Sequence, residues 1–65
     1  MERQSFINHI SNNQKVSYNN KNYIPVAYTL RLKDNTWLHQ VELKDLKANS
    51  IIIVDLGKVD EAINE

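Results

Sequence analysis

A chain of 65 residues holds one domain, and at that size it buries only about 60% of its unfolded surface for a net stability of roughly 3 to 5 kcal/mol, which leaves little with which to build a strained, water-excluding catalytic site. Eight basic side chains cancel eight acidic ones, so the binding classes that depend on a strong overall charge lose their main signal. There is no cysteine, which excludes a disulfide staple, a thiolate nucleophile and a cysteine-ligated zinc, and fits the reducing cytoplasm.

Residues 2–11 read as a short helix with Phe6, Ile7 and Ile10 on one stripe and His9 in the last turn, where a cation is favoured. Asn12 and Asn13 supply a residue able to take the left-handed cap conformation. Residues 15–18 form a first strand with Val16 and Tyr18 inward, followed by a tight turn at Asn19-Asn20. A two-residue turn opposes Val16 to Tyr23, which is the wrong face for the even-numbered core of the next strand. Either a longer loop or a bulge near Ile24-Pro25 must repair this. The bulge is the better expectation, because Pro25 cannot donate to a ladder.

The central feature is a long hairpin over residues 23–44. Its first arm alternates strictly, with Ile24, Val26, Tyr28, Leu30 and Leu32 on one side and Ala27, Thr29, Arg31 and Lys33 on the other. The second arm carries its bulk at Trp37, Val41 and Leu43, and Asp34-Asn35 makes the turn. Residues directly opposite each other share a face, so the pairing should be Leu32 with Trp37, Leu30 with His39, Tyr28 with Val41 and Val26 with Leu43. Tyr28 and Trp37 are thereby expected in the core, where truncation to alanine costs about 3 to 5 kcal/mol.

Residues 45–50 read as a polar turn or a single helical turn, and residues 51–56 as a strand apolar on both faces. Gly57 ends it. Residues 58–64 are a candidate final helix with Val59, Ala62 and Ile63 aligned. The expected fold class is mainly β: a small four-stranded curled antiparallel sheet or partly open barrel with short N- and C-terminal helices, α+β being the alternative. The long bent second strand, the short loops and the Leu56 to Val59 close resemble small SH3-like barrels, a likeness that implies a fold and no activity.

Charge is unevenly spread. Up to Gln40, Arg3, Lys15, Lys21, Arg31 and Lys33 stand against Glu2 and Asp34, five minus two giving plus three, and the remainder carries minus three. No apolar run is long enough to cross a bilayer and no signal peptide is visible, so a cytoplasmic protein is expected. The asparagine, lysine and isoleucine usage fits an AT-rich bacterial or phage genome.

Catalytic motifs are missing: the serines lack nucleophile-elbow glycines, and a single glycine builds no phosphate loop. His9, His39 and Asp55 have no metal-ligand spacing, so neither metal nor cofactor is expected, and His39 reads as partly buried with one hydrogen bond. The leading expectation is a non-enzymatic module that binds another protein through Thr29, Arg31, Lys33, Leu38 and Gln40 on the outer hairpin face. The runner-up is a single-stranded nucleic-acid binder using Lys15, Lys21, Tyr23, Arg31 and Lys33, basic side chains set among aromatic platforms. A homodimer through strand 51–56 is a third expectation, should Ile51 and Ile53 stay uncovered.

Overall fold

Both tight turns carry two successive residues with left-handed φ, Asn19 and Asn20 at 51° and 63° and Asp34 and Asn35 at 51° and 62°. That pattern belongs to type I′ hairpins, whose twist matches the strands they join. Asparagine and aspartate tolerate it because their short polar side chains bond locally.

The computed structural model describes residues 1–63 and contains α1 (Arg3–Ser11), β1 (Val16–Tyr18), β2 (Lys21–Lys33), β3 (Thr36–Asp45), β4 (Ile51–Asp55), a 3-10 turn (Leu56–Lys58) and β5 (Asp60–Glu61). The strands form one antiparallel sheet of order β4-β3-β2-β1-β5, open at both edges, so it does not close into a barrel. The mainly β class stands, and a fifth strand extends the sheet beyond the expected four.

The parity conflict is resolved by a bulge. Val16 pairs with Tyr23 across the two-residue turn, and the β2–β3 register shifts between Pro25 and Ala27, leaving Val26 unpaired. Beyond the bulge Tyr28, Leu30 and Leu32 oppose Val41, His39 and Trp37 as expected. Before it, Pro25 rather than Val26 opposes Leu43. The inward positions of β2 are therefore odd before the bulge and even after it, and Ile24 and Val26 are exposed instead of buried.

The core is Phe6, Val16, Val41, Leu43, Leu56 and Val59, with Ile10, Tyr18, Tyr23, Tyr28, Ile52 and Val54 packed against it. Phe6 of α1 is fully buried and anchors the helix onto the inner face of the sheet. The Met1 amino group donates to the carbonyl of Val59 at 2.7 Å, tying the start of the helix to the segment after β4.

The expected C-terminal helix does not form. Leu56–Lys58 is a 3-10 turn, Val59 is extended and fully buried, and Asp60 and Glu61 pair with Ser17 and Val16 along the edge of β1. The ladder groups on that edge would otherwise go unmatched, and tertiary pairing outweighs the weak helical periodicity of this stretch. Asn64, the last residue of the expected helix, lies outside the described residues. The 45–50 turn forms as expected: Asp45 N–H donates to the Ser50 carbonyl at 2.8 Å, and Asn49 has φ 56°.

Candidate protein-binding surface on the long hairpin

Alternation and register bring all five outer-face candidates together. Thr29 opposes Gln40, Arg31 opposes Leu38, and Lys33 opposes Thr36, so Thr29, Arg31, Lys33, Leu38 and Gln40 lie on one face. Arg31 and Lys33 are exposed, whereas Thr29, Leu38 and Gln40 are half-buried.

The inner face departs from expectation. Trp37 shares the face of the buried Val41 but is 57% exposed, with Leu32 at 55% and Leu30 at 44% beside it. The reason is length. A helix of 9 residues reaches about 14 Å, whereas a strand of 13 residues runs about 43 Å, so α1 covers only one end of the ribbon. Where the cover stops, Tyr28 is half-buried and its hydroxyl is hydrogen-bonded to Nδ1 of His39, the rings 5.9 Å apart. His39 has the single side-chain bond expected of it but is exposed. Together Leu30, Leu32 and Trp37 leave on the order of 300 Å² of contiguous apolar surface, the size at which patches on monomers become functional.

The nucleic-acid candidates do not converge. Lys21 pairs with Asp45 and lies 5.4 Å from the ring centroid of Tyr23, which is itself half-buried and edge-on to Tyr18. The bond from Lys21, then those from the Lys47 and Ala48 amides, hold the Asp45 carboxyl well below the usual carboxylate range. Arg31 and Lys33 lie on the opposite face, about 26 and 33 Å along β2 from Tyr23, whereas Lys15 precedes β1 at the Tyr23 end, away from both.

A second polar constellation had no sequence signal. His9, 7% exposed, bonds through Nδ1 to the Ser5 carbonyl at 2.7 Å and through Nε2 to Glu61 at 2.6 Å. Both partners are acceptors, so the doubly protonated ring satisfies them best. The Ser5 bond raises the His9 pKa most; burial opposes it, and Glu61 adds to the rise. Nearby, Ser17 Oγ donates to the Glu61 carbonyl at 2.7 Å. The buried Asn22 amide brackets Ile63, its Nδ2 donating to the Ile63 carbonyl at 2.9 Å and its Oδ1 accepting the Ile63 N–H at 2.8 Å. These groups clip the C-terminal segment to β1 and β2. Contacts separated by more than forty residues leave no local pattern to read.

Among the described residues no group of three histidine, cysteine, aspartate or glutamate side chains could hold a metal ion, and no helix is long and apolar enough to cross a membrane. The fold and surface define a small open-sheet protein with a projecting, amphipathic β-ribbon. Comparison with protein-family models, curated proteins and solved structures finds no match, so the surface alone must carry the functional reading.

Proposed function

We propose that this is a non-enzymatic protein-interaction module that binds through the far end of the β2–β3 hairpin. One observation carries the reading: an exposed tryptophan flanked by two leucines, on the face that buries Val41 and Leu43 at the other end of the ribbon. Tryptophan and arginine are the residues on which binding energy concentrates, and desolvating them in a pocket supplies affinity. On the reverse face Arg31 and Lys33 are in no ion pair among the described residues, so they are available to steer and orient an acidic partner. The partner class that fits is a protein with an apolar pocket rimmed by carboxylates, and a cytoplasmic setting suits the cysteine-free chain.

The test is affinity capture from a host extract, comparing the natural protein with Trp37→Ala and Arg31→Ala. Loss of one specific protein with Trp37→Ala, at a cost of about 2 kcal/mol or more, and a salt-dependent weakening with Arg31→Ala support the proposal. Undiminished capture by Trp37→Ala refutes it. Tight, salt-sensitive oligonucleotide binding that disappears with Lys15→Ala and Lys21→Ala would favour the nucleic-acid reading instead.

A further inference from the structure

The two edges of the sheet are managed differently. β5 is two residues long, acidic and exposed, all of which discourage another strand from pairing there. β4 is five residues of sequence Ile-Ile-Ile-Val-Asp, pairs with β3 without a bulge, and has no proline or lysine. Ile51 is 52% and Ile53 62% exposed on the face away from α1. An unprotected apolar strand with a free row of backbone donors and acceptors is a template for pairing.

We propose that a second copy of this chain occupies the β4 edge, the two strands running antiparallel about a two-fold axis at Ile52. Facing selects this register. Strands related by a two-fold normal to the sheet oppose only residues of like parity, so the candidate axes pass through Ile52 or Ile53. An axis at Ile53 sets Asp55 against Ile51 of the second copy, twice. At Ile52 it opposes Ile51 to Ile53 of the second copy on the outer face, again twice, and Ile52 to Ile52 on the inner face. Flanking charges agree. Lys44 lies beside Ile51 and Glu42 beside Ile53, so each outer row runs Lys44, Ile51, then Ile53 and Glu42 of the second copy. Both outer rows therefore end in opposite charges, the inner row is apolar from Leu43 to Leu43 of the second copy, and no like charges stand directly opposite each other. The product is a continuous sheet made of two five-stranded halves, with the two hairpin tips pointing in opposite directions.

Sedimentation equilibrium tests this directly. The mass should rise from 7.6 kDa towards twice that value with concentration, with a dissociation constant on the order of 10 μM for so small an interface. Ile53→Lys, at an exposed position, should keep the circular dichroism of the natural protein and weaken dimerisation at least about tenfold. Under oxidation, Ile51→Cys mixed with Ile53→Cys should give the mixed disulfide in preference to either symmetric one. A natural protein that stays monomeric at millimolar concentration, an Ile53→Lys variant that dimerises unchanged, or preferential symmetric linkage through Ile53→Cys overturns the proposal. Because different residues are involved, Trp37→Ala should dimerise normally, which separates this result from the hairpin reading.

Discussion

His9 and Trp37 show how position in the fold reverses what a side chain suggests. His9 near a helix end looks like a solvated cation, yet it is buried between two acceptors and joins α1 to β5. Its pKa is raised in the folded chain, so the stability it contributes is complete below the unfolded value near 6.5 and is lost as pH rises through the higher folded value. The urea midpoint should therefore fall with rising pH through that window, and His9→Gln should flatten the profile. An unchanged profile in the variant would place the titration elsewhere. Trp37, expected in the core, is mostly exposed. Trp37→Ala should cost about 1 kcal/mol, the worth of a cross-strand pair with Leu32 and not of a core side chain, and the natural indole should be readily quenched by acrylamide. Phe6, fully buried, is the opposite case: Phe6→Ala should cost about 3 to 5 kcal/mol, comparable with the whole stability of so small a domain, and abolish the cooperative thermal transition.

At the scale of elements, the bulge at Val26 lets one strand serve two registers. β1 demands odd positions inward and the outer hairpin demands even ones, and a single unpaired residue reconciles them. Deleting Val26 leaves Pro25 opposite Leu43, Ala27 opposite Glu42 and Tyr28 opposite Val41 in an unbroken alternation, so the deletion, like Val26→Ala, should keep the core and cost under about 1 kcal/mol by chemical denaturation; a loss of several kcal/mol would show that the bend itself is needed to seat α1. The turns make a second prediction. Asn35 has φ 62° in the second central position of its turn, where glycine is unstrained, so Asn35→Gly should stabilise by about 0.5 kcal/mol and raise the melting temperature by a few degrees.

For the whole molecule, the extents are 40 × 23 × 19 Å and the radius of gyration is 11.6 Å, against about 10.7 Å for a compact chain of this length. The excess is the overhanging hairpin. Its backbone bonds have no apolar cover, while those beside Val16, Val41 and Leu43 lie under α1. Amide hydrogen exchange should consequently be slow at Val41 and Leu43 and much faster from Leu30 to Trp37. Uniform protection along the hairpin would show that something covers the tip, and the exposed-ribbon reading would fall with it.

Strand alternation, the two asparagine-rich turns, most of the hairpin register and the need for a bulge were legible in the residues themselves. Each depends on chemistry confined to neighbours or to pairs that a turn of known length places face to face. Which face of each strand is shared is a local matter; whether that face is covered is not. Cover depends on how far a short helix reaches along a longer ribbon and on where the chain's last segment finds unpaired backbone. Only the tertiary structure, through Phe6, His9 and Asn22, decided that one end of the hairpin is core and the other is surface.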